Sequence, residues 1–570
     1  MVQVKVPGTQ DTHYQVVVVG AGPTGLITAN LLGQDGIKTL LVEQHESTVS
    51  QPRAVSIDDE ALRTVQSIGL IKEVLADVAQ DYGSWYFTPT GRCFAKVEPQ
   101  TREFGYPRRN AFQQPRLEAT LLRGLKRFEP VTTWFSHTLK SVEQTVDLVK
   151  LVVRLPEGGT IVVSCDYLAA CDGGQSTLRR LLDIPLEGST YEQRWLIVDT
   201  VNTSNHFRQT QVFCNTSRPA ISLPGPYQSR RFEFMLHDHE TDDLTDNDAF
   251  INELLLRHGE YRLPNIIRRQ VYTFQARTAE SWRSGRVFLL GDAAHLSPPF
   301  AGQGMNSGIR DAHNFSWKAA QVLRTGFPDT LLDTYEIERK PHARALIELA
   351  VLMGRFMMPP GRLRAWFVQW GLILLKLIPP AQHYITQMKF KPKPVLEEGL
   401  VAGTSPWVGR LFIQPRLELP DRSITLLDDL IGNRFTCLFF GNPIDKPDRL
   451  PQCYLGLNAG INWLWITPSS FMATKDSGIA EARDLDGEIE QAFSDAPGSG
   501  ILLRPDHYVA AVLRVENIAD TDCFNRLFDK RYYTQLEHWP NRSTQARTRV
   551  PYGIDHNKLP STPIRRSSSV

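Results

Sequence analysis

The N-terminal part of the chain contains a short apolar segment that runs directly into a glycine-rich turn. The segment 14–20 reads YQVVVVG, a β-branched run that predicts a strand buried on both faces. Glycines with the spacing G-x-G-x-x-G follow over 20–25, and a helical pattern continues to Leu32. A second apolar strand over 37–43 ends in an acid. This order of elements predicts an α/β unit with a Rossmann-like parallel sheet that binds a dinucleotide.

Each part of this pattern has a mechanical reason in nucleotide binding. Glycines permit a tight turn and a close approach of the backbone to phosphate, and the following helix presents about half a positive charge to the pyrophosphate. The acid at the end of the second strand, Glu43, is placed to accept hydrogen bonds from the adenosine ribose hydroxyls. The cofactor contacts expected in this unit are Gly20, Gly22, Pro23, Thr24, Gly25, Glu43 and Gln44.

The glycine motif does not separate NAD from FAD, but a later passage from strand to helix favours FAD. The segment 287–290 predicts a buried strand, and Asp292 just beyond it is placed to bind hydroxyls of a polyol chain. The helix that opens after 302–304 would stabilise the negative charge of a reduced flavin. The further cofactor contacts expected here are Asp292, Gly304, Met305 and Asn306. A third turn, at 171–173, also follows an apolar strand.

Composition excludes several classes of protein. The 570 residues carry a formal net charge of +1, which argues against a nucleic-acid partner. Seven cysteines without a C-x-x-C pair fit a reducing compartment, so we expect a cytoplasmic protein. The apolar stretch 366–378 is interrupted by Gln369 and Lys376 and is too short to span a membrane. It predicts a buried or interfacial helix, with a role at a membrane surface as the less favoured alternative.

Taken together, these motifs identify a family resemblance. The chain resembles the single-component (group A) FAD-dependent aromatic hydroxylases, with G-x-G-x-x-G at 20–25, D-G at 172–173 and G-D at 291–292. Q-P-R-A at 51–54, D-D-E-A-L-R at 58–63 and the residues from 291 to the prolines at 298 and 299 look closest to 3-(3-hydroxyphenyl)propionate hydroxylases and the phenol hydroxylase branch.

The resemblance implies a reaction and further contacts. NAD(P)H would reduce FAD, reduced FAD would form a C4a-hydroperoxide with dioxygen, and its distal oxygen would pass to a phenolic ring. Arg53 and Gln114 are expected to contact the cofactor, Asp172 and Arg179 to serve FAD and NAD(P)H, and Pro298 to lie near the reactive face of the flavin. No second complete glycine motif lies in a strand-helix context, which favours NAD(P)H as a transient reductant.

The resemblance also implies a division into domains. A C-terminal unit over 400–545 resembles the thioredoxin-like domain of the phenol hydroxylase branch through R-P-D at 504–506, but it lacks C-x-x-C and is expected to be redox-silent. The fold prediction is therefore α/β and α+β. Its parts are an FAD-binding domain (12–188), an inserted antiparallel substrate sheet (189–279), the second part of the FAD-binding domain with helices (280–395), the thioredoxin-like domain (400–545) and a disordered tail (546–570).

The groups that act on the substrate are less constrained by sequence. Tyr272, on the strand entering the second FAD motif, is the candidate that hydrogen-bonds or deprotonates the phenol, and a sheet tyrosine packed in the core is the alternative. Arg231 or Arg277 are candidates to hold a substrate carboxylate. His295 is interpreted as a structural hydrogen-bonding group, and no metal site is expected, including at 237–240.

The sequence leaves three candidate functions. The first is hydroxylation of a small phenolic substrate, with a homodimer as a candidate assembly. The second is hydroxylation or epoxidation of a larger polyketide-like or terpenoid compound. The third is a protein that retains FAD without turnover and serves in assembly.

Overall fold

A computed structural model describes residues 13–359, 361–442, 461–473, 479–493 and 499–514. Its first sheet has the strand order β17-β18-β11-β1-β2-β8, with the antiparallel strands β10 and β9 added to β11. These strands are β1 (His13–Val19), β2 (Thr39–Val42), β8 (Val131–Trp134), β9 (Thr138–Gln144), β10 (Val149–Arg154), β11 (Thr160–Ala170), β17 (Arg283–Ser284) and β18 (Val287–Leu289). The expected tail at 546–570 lies outside the described residues.

Parallel pairing brings the three motif turns to one edge of this sheet. Strand β1 pairs in parallel with both β2 and β11, and β11 pairs in parallel with β18. The carboxyl ends of parallel strands share an edge, so the turns that follow β1, β11 and β18 become neighbours. Strand β1 is buried at Val16, Val17, Val18 and Val19, as the continuous apolar run predicts.

The second sheet is larger than the predicted insert. Its strand order is β19-β16-β12-β15-β14-β13-β5-β6, with antiparallel pairing except between β13 and β5. The strands are β5 (Ser84–Phe87), β6 (Cys93–Val97), β12 (Leu186–Val201), β13 (Thr210–Phe213), β14 (Ala220–Pro224), β15 (Arg230–Met235), β16 (Asn265–Ala279) and β19 (His295–Leu296). Strands β5 and β6 come from outside the segment 189–279. The sequence did not predict them as part of this sheet, because the parallel contact of β5 with β13 is non-local and leaves no local sequence signal.

The helices cover the first sheet and connect it to the rest of the chain. They are α1 (Pro23–Gln34), α2 (Asp59–Ser67), α3 (Ile71–Ala76), α4 (Gln114–Leu125), α5 (Thr177–Leu181), α6 (Asp248–Arg257), α7 (Gly304–Thr325), α8 (Thr334–Met357), α9 (Arg362–Leu375), α10 (Pro379–Thr386), α11 (Leu427–Ile431) and α12 (Glu488–Ala492), with 3-10 turns at Asp242–Asp246, Gly291–Ala293, Pro299–Ala301 and Asp329–Asp333. A small sheet joins β3 (Ser56–Asp58), β7 (Arg109–Ala111) and β4 (Ala79–Gln80). The described residues contain no helix that is both long and apolar enough to cross a membrane.

The C-terminal sheet mixes parallel and antiparallel pairs. Its order is β21-β20-β24-β23-β22-β25-β26, with parallel pairing among β22, β23 and β24. The strands are β20 (Arg416–Glu418), β21 (Ile424–Leu426), β22 (Thr436–Phe440), β23 (Asn462–Thr467), β24 (Ala480–Asp484), β25 (Ser499–Leu503) and β26 (Val509–Arg514). Buried charges dock this sheet onto α8: the Arg504 guanidinium lies 2.8 Å from Glu338 and 2.7 Å from Asp506.

Helix α9 is not the buried helix that was one of the two predictions for this stretch. Its outer face is exposed, with Trp366 53% and Phe367 66% exposed. Its inner face places Leu372 and Ile373 against the core of the second sheet. The apolar run therefore splits between a packed face and a solvent-facing stripe, which length and hydropathy alone could not separate.

We predict that Arg504→Met strongly destabilises the protein. The substitution leaves the buried carboxylates of Glu338 and Asp506 without their shared partner, which should lower the free energy of unfolding by about 3–5 kcal/mol. Denaturant unfolding measures this change. The control Arg416→Met removes an exposed pair with Asp486 and should leave the free energy of unfolding nearly unchanged. Equal effects of the two substitutions would contradict the prediction.

Candidate active site

The glycine turn packs tightly on two sides and is open on the third. Gly20 has φ +106°, and a Cβ there would overlap the carbonyl oxygen of Cys171. A Cβ on Gly25 would overlap the carbonyl oxygen of Gly20. A Cβ on Gly22 would meet no atom of the described residues within 4 Å. Gly20 and Gly25 therefore serve the packing of the fold, whereas Gly22 leaves space beside the start of α1.

Two helix N termini at the site have no side-chain caps. Helix α1 starts at Pro23 after Gly22, and α7 starts at Gly304 after Gln303; no described side chain caps either start, and neither first turn contains an acid. The N–H groups of a first helical turn have no partners within the helix, and the helix dipole adds positive potential there. Both starts are therefore suited to bind an anionic group.

Glu43 holds the glycine turn through its carboxylate. Oε2 accepts a hydrogen bond of 2.8 Å from the Ala21 amide, and Oε1 accepts one of 2.9 Å from the His45 amide. Each carboxylate oxygen has a second lone pair, so Glu43 can still accept ribose hydroxyls. Gln44 is exposed beside it.

The turn after β11 is joined to the turn after β18 by Arg179. Its Nη1 donates to the Ala293 carbonyl and its Nη2 to the Gly174 carbonyl, both at 2.8 Å. Asp172 Oδ2 accepts from the Leu178 amide at 3.0 Å, while Oδ1 is buried without a partner among the described residues. Burial raises the pKa of the Asp172 carboxyl. Arg179 thus positions backbone, and Asp172 retains an acceptor for a further group.

Thr24 fills the space between the turn after β18 and helix α7. A Cβ on Gly291, whose φ is +60°, would lie 2.6 Å from Thr24 Oγ1, and a Cβ on Gly308 would overlap the same oxygen. The predicted cofactor contact Thr24 therefore has its side chain packed against these two glycines. Substituting Gly308 would push α7 away from α1, and substituting Gly291 would push the turn after β18 away from α1.

Asp292 presents an exposed carboxylate next to these turns. Desolvation by the surrounding protein raises the pKa of this carboxyl, and the charges of His295 and Arg53 oppose this rise without cancelling it. His295 itself is 1% exposed, and its Nε2 lies 2.7 Å from Asp311 Oδ2. This contact confirms the structural interpretation of His295 and leaves Asp292 as the acid that faces outward.

Gln114 and Asn306 have protein partners. Gln114 Oε1 accepts from the Ala54 amide and its Nε2 donates to Glu118, both at 2.7 Å. Asn306 Oδ1 accepts from the Asp58 amide at 3.1 Å, and its Nδ2 donates to the Gly302 carbonyl at 2.7 Å. Both side chains fix loops around the site. Met305 packs against the main core, while Arg53 is exposed.

A charged row crosses the second sheet and grips the loop that carries Arg53. Arg231 Nε and Nη2 lie 2.7 and 2.9 Å from the two oxygens of Asp199, and Arg268 contacts the same carboxylate. Both arginines also donate to the backbone carbonyl of Pro52, and Arg231 to that of Arg53. The expectation that Arg231 holds a substrate carboxylate is therefore wrong, because its guanidinium is already occupied by Asp199 and two carbonyls.

The other two substrate-side candidates lie on β16. The Tyr272 hydroxyl lies 3.2 Å from Arg268 Nη2, and the Tyr272 ring packs at the edge of an aromatic cluster. Arg277 is half-buried, pairs through its backbone with Leu296, and has an Nε without a hydrogen-bond partner among the described residues. Arg277 lies five residues from Tyr272, so it projects from the opposite face of β16.

An aromatic cluster joins the sheet to the loop after β19. The Phe300 ring centroid lies 5.5 Å from that of Phe274 and 5.8 Å from that of Trp195. Pro298 is buried just before Phe300, and the left-handed Gly302 follows it. The residues that bear the second cofactor motif therefore contact the aromatic face of the sheet directly.

The arrangement fits FAD. Bare helix N termini suit a pyrophosphate and a reduced flavin, Glu43 suits a ribose, and the exposed Asp292 suits a hydroxyl chain. Sequence reasoning missed Asp199, Arg268 and Glu233. All three lie in the segment 189–279 that was predicted as the substrate sheet, but pairing across strands decides what such charges contact.

Comparisons with known proteins agree with this geometry. Residues 13–350 match the FAD binding domain family, and residues 409–527 match the HcaD C-terminal domain. The 3-(3-hydroxy-phenyl)propionate/3-hydroxycinnamic acid hydroxylases of Escherichia coli (strain K12) and Shigella sonnei (strain Ss046) are each 40% identical over 522 residues, which covers 89% of this chain and 93% of theirs.

Solved structures show the same fold. The flavin-dependent monooxygenase PieE in complex with FAD and substrate aligns with a TM-score of 0.78 at 20% identity, covering 92% of this chain and 100% of that one. Aklavinone-11 hydroxylase with FAD and aklavinone aligns with a TM-score of 0.73 at 22% identity, covering 91% and 100%. The chain belongs to the family of FAD-dependent aromatic hydroxylases. It is an FAD-dependent monooxygenase.

We predict that Gly22→Ala folds but binds FAD poorly. The added Cβ meets no described protein atom, and the backbone there, at φ −74°, suits any residue. Only a ligand seated against the turn would meet the new methyl group, so the dissociation constant for FAD should rise about tenfold or more. Flavin titration measures the affinity for FAD, and circular dichroism tests whether the variant folds. An unchanged FAD affinity would contradict the placement of the cofactor at this turn.

We also predict that Asp292→Ala lowers FAD affinity. Loss of the hydrogen bond that a cofactor hydroxyl would donate to this charged acceptor should weaken binding by about 10- to 100-fold. The flavin content of the purified protein and a flavin titration give the measurement. Asp147→Ala, at an exposed hairpin turn, is the matched control and should bind FAD normally. Stoichiometric flavin in Asp292→Ala would count against this role.

Proposed function

We propose that this monooxygenase hydroxylates a small phenol that carries a carboxylate side chain. The observation that carries the proposal is the second sheet, whose aromatic cluster contacts the cofactor loop at Phe300 while its Tyr272 hydroxyl and charged row lie on the same face. A phenol needs an apolar slot for its ring and a polar group at its hydroxyl. Relatives of 40% identity are named for phenols with a propionate or acrylate side chain, which supports this substrate class.

The proposal assigns the residues at the cofactor turns to FAD. FAD, once reduced by NAD(P)H, supplies the activation of dioxygen. The residues proposed to hold or surround it are Gly20, Gly22, Pro23, Thr24, Gly25, Glu43, Gln44, Arg53, Gln114, Asp172, Asp292, Gly304, Met305 and Asn306. Of these, Thr24, Gln114 and Asn306 act by holding the backbone in place, since their side chains are packed or bonded within the protein.

On the substrate side, each candidate has one task. Tyr272 hydrogen-bonds the phenol hydroxyl, and Arg268 orients the tyrosine from 3.2 Å. Pro298 shields the reacting ring from water at the cofactor loop. NAD(P)H reacts transiently and leaves.

The remaining parts of the proposal concern organisation. We keep the boundaries 12–188, 189–279, 280–395 and 400–545, with β5 and β6 added to the substrate sheet. The thioredoxin-like character of the C-terminal unit is supported by the parallel β22–β24 core and the β25–β26 hairpin. Its described cysteine, Cys437, is buried, and burial raises the pKa of its thiol. Unpaired cysteines among the described residues support a cytoplasmic location.

Addition of a substrate tests the catalytic proposal. Purified protein should be yellow, and NAD(P)H oxidation should accelerate when 3-(3-hydroxyphenyl)propionate is added, with one hydroxylated product per NAD(P)H consumed. Acceleration by polycyclic substrates alone would favour the larger-substrate alternative. A flat response to every phenol and polycycle in a panel would favour a protein that binds FAD without turnover.

We further propose that a second copy of the chain covers the exposed stripe of α9. Leu363, Phe367 and Leu374 are 76%, 66% and 58% exposed on one helical face, an apolar patch of the kind that marks a protein contact. Phe367→Ser should shift the protein toward monomer in analytical ultracentrifugation. The control Leu263→Ser changes an exposed leucine outside this stripe and should leave the state unchanged. A wild-type monomer that binds lipid vesicles would instead support the membrane-surface alternative.

A further inference from the structure

The active face of the second sheet is layered by strand register. Arg231 pairs with Asp199, which pairs with Arg268, and this forms the charged row described above. Four residues further along β15, Met235 pairs with Trp195, which pairs with Tyr272 in the aromatic cluster. Alternate residues of a strand share one face. The residue between Arg231 and Met235 on this face is Glu233.

Glu233 has apolar neighbours on both adjacent strands. It pairs through its backbone with Ile197 on β12 and with Ile221 on β14. The residue is only 4% exposed, yet its carboxylate makes no hydrogen bond or ion pair within the part of the chain that the structure describes. Buried carboxylates in folded proteins are nearly always paired. Glu233 is therefore a costly group for which the fold itself provides no partner.

The neighbouring charges do not serve as that partner. The Arg231 guanidinium contacts Asp199 and the carbonyls of Pro52 and Arg53. Arg268 contacts Asp199, Pro52, Gln270 and the Tyr272 hydroxyl. Both arginines are thus committed to other acceptors, and they influence Glu233 only through space.

By register, Glu233 lies between two rows of the sheet, each of which contacts a loop at the proposed cofactor site. On one side, the charged row holds the loop at Pro52 and Arg53. On the other side, Trp195 in the aromatic row contacts Phe300 in the loop after Pro298. A flavin ring held by both loops would face the sheet at the level of Glu233. A substrate between flavin and sheet would therefore lie against this carboxylate.

We propose that Glu233 is the acid-base catalyst that removes and returns the proton of the substrate's phenol hydroxyl. This inference rests on the proposed function. The phenol O–H bond breaks, the proton moves to a carboxylate oxygen of Glu233, and the released electron pair raises the electron density of the ring. With the two electrons that NAD(P)H supplies through FAD, one oxygen atom of dioxygen is added to the ring carbon and the other leaves as water. That carbon then loses its own hydrogen as a proton, and Glu233 returns its proton to the phenol oxygen.

The assignment explains why an unpaired acid remains on this face. A carboxylate satisfied by arginine would be a weak base, whereas an unpaired buried one is a stronger base. Burial raises the pKa of Glu233 to about 7, with Arg231 opposing and Asp199 adding to the rise. Such a group changes charge near neutral pH, where a general base is most effective. Tyr272 then orients the phenol hydroxyl, and Glu233 accepts its proton.

Glu233→Gln in the FAD-loaded full chain tests this proposal. The glutamine keeps the shape but cannot exchange the proton, so the rate of product formation with 3-(3-hydroxyphenyl)propionate should fall by about 100-fold or more. NAD(P)H oxidation that yields hydrogen peroxide should continue. In the wild type, kcat/KM for product should rise with pH through about 7, as the Glu233 carboxyl loses its proton, and this rise should vanish in the variant.

Ring-fluorinated substrates provide a second readout. Their hydroxyls are more acidic and need less help from a base, so the rate lost in Glu233→Gln should shrink as the phenol becomes more acidic. A merely structural role would give a loss that is independent of the phenol. Glu233→Asp retains a carboxyl and should preserve the rise with pH at a reduced rate. If the glutamine variant fails to bind FAD, the aspartate variant carries the test.

The matched control is Glu260→Gln. Glu260 is also a buried acid of this domain, but Thr203 and Ser204 satisfy its carboxylate. Its substitution should leave the pH profile unchanged. If Glu233→Gln formed one product per NAD(P)H oxidised and kept the wild-type dependence of kcat/KM on pH, the proposal for Glu233 would be overturned. The proposed hydroxylation would still stand. Failure of the wild type to hydroxylate any phenol would instead refute the proposed function.

Discussion

The site depends on backbone contacts so close that only glycine permits them. Gly20 lies against Cys171, Gly25 against Gly20, and Thr24 fits between Gly291 and Gly308. These contacts bring the ends of β1, β11 and β18 together and set helices α1 and α7 side by side. The Arg179 hydrogen bonds then fix the distance between two of the turns.

The second constraint is the charged row that connects the substrate sheet to the loop at Pro52 and Arg53. Asp199 is shared by two buried arginines, and both donate to the backbone at Pro52. These contacts fix the position of the loop at Pro52 and Arg53 relative to the substrate sheet. A cofactor bound near Arg53 and a substrate bound on the sheet would therefore keep a fixed distance. Because Arg231 and Arg268 are used in this way, the task of proton transfer passes to other residues. Glu233 and Tyr272 are the groups on that face with the chemistry to perform it.

The sequence was most informative where function depends on short, local patterns. The strand-turn-helix units and the acids that end strands follow from residues close together in the chain. The partners of Arg231 could not be predicted, because Asp199 reaches it only through the register of β12 against β15. Strands β5 and β6 were missed for the same reason. The exposed stripe of α9 shows the converse, since an apolar run does not reveal which of its faces is covered.

In this site, dioxygen supplies the oxygen atom that is placed on a phenolic ring. Turnover under isotopically labelled dioxygen, followed by mass spectrometry of the product, shows the origin of that atom. We expect one labelled oxygen atom in each product molecule, with none derived from water. A product whose new oxygen came from water would contradict this expectation, as would label found only in hydrogen peroxide.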